Sequence, residues 1–180
     1  MGGLWINDVL LQNLKNRKIP VEPHIVPMIY EGLQKAPVRF KIDTASIANF
    51  SVVYEELLVK GDKPGKLYFT DMNGQFSGLT NIVSYPEQFI RLHADGNLMG
   101  SGHFTATWQL PVDSLYDRFL LDARLDSLVL LSLNEIIKPL APAEVVSGWA
   151  QDVVFHMDAS SRKGRIRLDF PYRKLKVALL

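Results

Sequence analysis

The 180-residue chain contains no cysteine, which excludes disulfide frameworks, thiolate catalysis and cysteine-based zinc sites. It also lacks an excess of charge of either sign. Lys and Arg total 20 against 19 Asp and Glu, a net charge of +1, whereas a dedicated nucleic-acid binder carries a larger basic excess gathered on one face. No stretch approaches the ~18 uninterrupted apolar residues of a membrane-spanning helix. The start, Met1-Gly2-Gly3-Leu4, has neither the basic nor the apolar region of a signal peptide and reads as an internal start. The far end, Lys174 to Leu180, stops in mid-pattern. We therefore expect one β-rich domain over residues 1–180, excised from a larger protein.

Catalytic motifs are missing as well. There is no G-x-x-x-x-G-K-[ST], no G-x-G-x-x-G between strand and helix, and no G-x-S-x-G. Gly100-Ser101-Gly102-His103 falls between two alternating runs and reads as a turn. His24, His93, His103 and His156 are scattered singly, without the paired spacing of metal ligands. His103 and His156 lie on polar strand faces, where a solvated imidazole is the simpler reading; His93 could approach Asp95 or Asp122. Glu55 and Glu56 are adjacent, so on a strand they face opposite sides. Asp122 and Asp126 read as a solvated charge ladder around Arg124. No enzyme activity, cofactor or metal is expected, and no nucleic-acid partner.

What the chain does have is apolar residues at 47% and a period of two. Phe104, Ala106, Trp108 and Leu110 alternate with Thr105, Thr107 and Gln109, the pattern of a half-buried strand. Phe119, Leu121, Ala123 and Leu125 alternate with Asp122, Arg124 and Asp126. Val153, Phe155 and Met157 oppose Asp152, His156 and Asp158, and Ile166, Leu168 and Phe170 oppose Arg165, Arg167 and Asp169. Earlier, Val38, Phe40 and Ile42 form one such run and Phe50, Val52 and Tyr54 another. One-sided strands of this kind predict an antiparallel sheet. The expected architecture is a mainly-β meander of eight or nine strands, curved into a groove or half-barrel, with two short helices.

Turn chemistry separates the runs at Asp62-Lys63-Pro64-Gly65, Asp95-Gly96-Asn97, Gly100-Ser101-Gly102 and Arg162-Lys163-Gly164. Helical spacing predicts one helix over 24–36, stopped by Pro37. A second is predicted over 132–140, opened by a Ser132–Glu135 capping box and kept short by Pro139.

Two features bear on function, each with two readings. From Arg162 to Lys176 there are seven basic residues (Arg162, Lys163, Arg165, Arg167, Arg173, Lys174 and Lys176) against Asp169 alone. The run could attract anionic head groups, at about 1 kcal/mol per charge near a membrane, or guard a solvated edge strand against aggregation. The inward residues Phe104, Trp108, Phe119, Leu121, Phe155, Met157, Ile166 and Phe170 are either a closed core or, in an uncovered half-pipe, the lining of an acyl-chain trough.

The passages Val53-Tyr54-Glu55-Glu56, Lys63-Pro64-Gly65 running on to Asp71-Met72-Asn73-Gly74, and Leu79-Thr80-Asn81 resemble AsmA-like bacterial envelope proteins. So do Gly100-Ser101-Gly102 with its following strand, Lys138-Pro139-Leu140, and the closing hairpin from Gly164 to Val177. The similarity spans roughly residues 38–180. It implies a curved antiparallel β-groove on the periplasmic side of the envelope, membrane-anchored in the full-length protein, with a non-enzymatic role in lipid transport or outer-membrane assembly. Phospholipid is the partner it implies; membrane contact would run through segments outside this chain. The rival expectation is a closed β-sandwich protein-interaction module of the envelope.

Overall fold

Strict alternation of apolar and polar side chains builds a sheet with two unlike faces. The computed structural model describes residues 3–19, 29–113 and 117–180. Its strands are β1 (Gly3–Asn7), β2 (Leu10–Asn16), β3 (Lys41–Leu57), β4 (Gly65–Thr80), β5 (Phe89–Leu98), β6 (Gly102–Pro111), β7 (Phe119–Val129), β8 (Ala143–Ala159), β9 (Gly164–Asp169) and β10 (Tyr172–Leu179). All belong to one sheet in the order β1-β3-β4-β5-β6-β7-β8-β10, with β2 paired to β3 and β9 to β8. The long strands β3 and β8, 17 residues each, thus carry two short strands end to end along their outer edges.

From β3 to β9 each strand runs antiparallel to the next, as the one-sided patterning requires. The sheet is not wholly antiparallel, however, and among the described residues has ten strands rather than eight or nine. β1 and β2 lie parallel to β3. Their apolar residues do not alternate (Leu10 and Leu11 are consecutive), so periodicity gives no sign of them.

Local bends give the sheet its shape. Asn49, Asp71 and Asp152 have φ of 51°, 52° and 51°, a left-handed conformation that Asn and Asp tolerate better than most residues. Pairing shifts register at Asn49 and Asp71. Each bend also flips the parity of the inward face: Ala45 and Ile47 give way to Phe50 and Val52 in β3, and Phe69 to Met72, Gly74 and Phe76 in β4. The expected strands over 38–42 and 50–54 are therefore parts of one bent strand that begins at Lys41.

Three of the four expected turns separate strands. Asp95-Gly96-Asn97 does not; it lies inside β5. Gly96 is there because Met72 crosses it: a Cβ at that position would sit 2.7 Å from Met72 Cγ.

Short helices cover the two ends of the strands. Helix α1 (Ile29–Gln34) is shorter than the 24–36 predicted, of which 24–28 lie outside the described residues. Gln34 Nε2 donates to Val112 O at 2.9 Å, and Leu33 packs on the buried Ile90, Leu110 and Val112. At the other end a 3-10 turn (Leu130–Leu133) leads into α2 (Asn134–Leu140). Leu133 and Ile137 pack on a cluster of Met99, Phe104, Leu125, Leu128, Leu130, Val145, Ala150 and Val153. The Ser132–Glu135 capping box does not form. The 3-10 turn makes Leu133 the N-cap, and Ser132 Oγ donates back to Val129 O. Asn134 holds α2 in place instead: Nδ2 donates to Val145 O and Oδ1 accepts from Val145 N, both at 2.7 Å.

Candidate functional site

Strand register aligns the side chains into rows that cross the sheet. One row runs Leu4, Ala45, Phe76, Leu92, Trp108, Leu121, Met157, Ile166, each the pairing partner of the next. The parallel row two residues along runs Ile6, Ile47, Gly74, Ala94, Ala106, Ala123, Phe155, Leu168. A third contains Phe50, Met72, Phe104, Leu125 and Val153. All three rows are apolar throughout. Between the first two lies a row on the opposite face: Trp5, Ser46, Gln75, His93, Thr107, Asp122, His156, Arg167. The sheet therefore has one oily and one polar surface.

The middle apolar row is narrow where its neighbours are bulky. Gly74, Ala94, Ala106 and Ala123 form a floor across β4 to β7. Phe76, Leu92, Trp108 and Leu121 stand along one side, Phe50, Met72 and Phe104 along the other. Most of these residues line a concave cavity of about 400 Å³, which Val9, Leu11, Ile47, Val52 and Phe69 complete; every lining residue is apolar. Residues from β2 through β7 can share one cavity only because the sheet curls. A second depression of about 310 Å³ continues from it, sharing Phe69 and Phe104 and extending over Leu125, Val153, Phe155, Leu168 and Phe170. At ~4.8 Å between strands, the four-residue floor alone is about 14 Å long.

Of the residues expected to line a trough, Phe104, Trp108 and Leu121 line the larger cavity, and Phe104, Phe155 and Phe170 the smaller. Met157 and Ile166 extend the first row toward the β9 edge, where Ile166 is 59% exposed. Phe119 instead packs with Trp108 against the α1 end cluster. The indole Nε1 of Trp108 is buried without a hydrogen-bond partner. Phe50, Phe69, Met72, Phe76 and Leu92 are further lining residues beyond that set. Phe50 falls in an alternating run, but the bend at Asp71 hides the β4 members, and Gly74 and Ala94 carry little hydrophobic signal.

The basic residues lie apart from this lining. Arg162 and Lys163 occupy the β8–β9 turn, Arg165 and Arg167 the polar face of β9, and Arg173 and Lys174 the exposed β10. Several have partners there. Arg167 pairs with Asp169 at 3.0 Å, and Lys174 Nζ lies 5.5 Å from the Trp149 ring centroid. Arg165 is the cross-strand partner of Asp158, whose carboxyl is held below its usual range chiefly by hydrogen bonds from Arg118.

Other polar groups serve structure. His156 is not simply solvated: its Nδ1 is 2.6 Å from Asp122 across β7 and β8. His93 Nδ1 lies 3.3 Å from Thr107 Oγ1, and His93 shares a shallow surface depression with Asp95. Glu55 accepts from Gln12, whereas Glu56, 8% exposed, joins Tyr54 and Arg17 and fastens the end of β2 to β3. The Tyr54 hydroxyl, and after it Arg17, lower the Glu56 pKa; burial raises that of Tyr54. Among the described residues no three His, Asp or Glu side chains converge as metal ligands. Nor is any helix there long and apolar enough to cross a membrane.

The chain matches no protein-family model, no curated protein and no solved structure. The groove is thus read from its own geometry.

Proposed function

We propose that this chain is a non-enzymatic lipid-binding segment whose concave face shelters the acyl chains of a phospholipid or similar envelope lipid. The observation that carries the reading is the cavity of about 400 Å³ with an entirely apolar lining. Its volume falls within the range of small-molecule sites. Its lining offers nothing to recognise a polar substrate and much to attract hydrocarbon. Transfer of about ten methylenes from water onto such a surface is worth about 8 kcal/mol before the costs of binding. All ten strands lie in one sheet, so no second sheet of described residues covers the trough as a sandwich would require.

The resemblance to AsmA-like proteins supports a place on the periplasmic side of the bacterial envelope, in lipid movement or outer-membrane assembly. The head group stays at the mouth of the groove. The exposed Arg162, Lys163, Arg165, Arg173 and Lys174, which lie apart from the lining at the β9–β10 side, attract an anionic membrane surface instead. Native mass spectrometry of the delipidated chain with added phosphatidylglycerol tests the reading. We expect an adduct at one lipid mass. A spectrum that stays lipid-free through a large excess overturns it.

A further inference from the structure

The two ends of the sheet are unlike one another in a way that makes them complementary. Among the described residues β1 pairs only with β3 and β9 only with β8, so each leaves a row of backbone N–H and C=O groups free. Such edges invite another strand unless they are blunted. β10 is blunted: Pro171 precedes it, Lys174 has a φ of 49°, and its pairing is broken by two register shifts. β9 and β1 are not. Their six and five pairs are unbroken, and neither contains proline or lysine.

Side chains on the two free edges also match. β9 presents Ile166 and Leu168 on the apolar face and Arg167 on the polar one. β1 presents Leu4 and Ile6 on the apolar face and Trp5, 74% exposed, on the polar one. Both strands run in the same direction through the sheet. Ile166 ends the row that Leu4 begins, Leu168 ends the row that Ile6 begins, and Arg167 ends the row that Trp5 begins.

We propose that copies of this chain join head to tail, β9 of one pairing in parallel with β1 of the next, with Ile166 against Leu4, Arg167 against Trp5 and Leu168 against Ile6. The guanidinium then lies beside an indole, a favourable cation–π contact. The apolar rows of one copy run on into the next. The alternative two-fold pairing of β9 with β9, in the register that sets Arg165 of each copy against Arg167 of the other, is opposed by like-charge repulsion. A head-to-tail contact between different surfaces need not close, so it builds an open series of copies. This inference does not depend on what the groove holds.

The absence of native cysteine makes the test clean. Directly paired residues on neighbouring strands lie within disulfide reach. We expect the Ile6→Cys, Leu168→Cys double variant, oxidised at high concentration, to give a ladder of dimers, trimers and larger species on a non-reducing gel. Each single variant should stay monomeric, and so should Ile6→Cys combined with Ile166→Cys, which is out of register. Adding Arg167→Glu to the double variant should lower the ladder yield about threefold. Circular dichroism of each variant establishes that it is folded. Absence of a ladder from the folded double variant overturns the proposal, as does equal cross-linking of either single variant with itself.

Discussion

Phe69 and Phe104 meet edge to face on the wall shared by the two apolar cavities, with ring centroids 5.4 Å apart and planes inclined at 78°. The pair joins β4 to β6 across β5, and Phe104 also belongs to the buried cluster beneath α2. It therefore supports the concave face as well as lining it. Phe104→Ala should cost about 3–5 kcal/mol of stability, measured by urea denaturation. A loss under 1 kcal/mol would mean that the ring is not packed as described.

Gly96 and Gly32 make opposite predictions for the same substitution. A methyl group at Gly96 would lie 3.1 Å from both Met72 Cα and Thr70 O, backbone-side atoms that cannot swing away. Gly96→Ala should therefore destabilise by about 1–3 kcal/mol. Gly32, inside α1, has nothing within 4 Å of that position, so Gly32→Ala should stabilise by up to about 1 kcal/mol. Thermal melts of the two variants should move in opposite directions.

Asn134 satisfies both backbone groups of Val145, a buried residue. Asn134→Ala leaves both without that partner and should cost about 1–3 kcal/mol. Hydrogen exchange should show the loss concentrated in α2 and the adjoining part of β8.

The Glu56–Tyr54–Arg17 cluster should make the β2 edge acid-sensitive. Because the folded carboxyl titrates below the unfolded value of about 4.5, its contribution is complete above that pH and disappears as pH falls through the lower folded value. Glu56→Gln should lose about 1–3 kcal/mol at neutral pH. The gap between wild type and variant should narrow on titration to about pH 3. A gap that widened on acidification would contradict the assigned direction.

Strands β6 to β9 could be read from sequence because each keeps one parity over its alternating stretch: Phe104, Ala106 and Trp108, for example, all face inward. β3 could be read only in pieces and β4 not as an alternating strand at all, since the bends at Asn49 and Asp71 move the apolar set from odd to even positions. β1 and β2 were invisible. They are short, and their parallel pairing with β3 depends on a connection that no local pattern specifies. Asp95-Gly96-Asn97 has the composition of a turn for another reason, the crossing of Met72. The walls of the groove, Trp108 and Leu121 among them, could be found as inward residues. The floor could be found only in part: Ala106 and Ala123 fall in alternating runs, but the alignment of Gly74, Ala94, Ala106 and Ala123 across the sheet depends on strand register.

Ala106 lies in the middle of that floor, only partly buried at the rim of the Phe104–Leu125 cluster, so a larger side chain there projects into the trough at the edge of the packed core. We therefore compare transfer of a fluorescent phospholipid from vesicles to wild type and to Ala106→Phe, with matched circular dichroism spectra. An acyl-chain groove predicts at least about a tenfold loss of uptake, equivalent to ~1.4 kcal/mol. Equal uptake by the two proteins would show that lipid does not lie along this face.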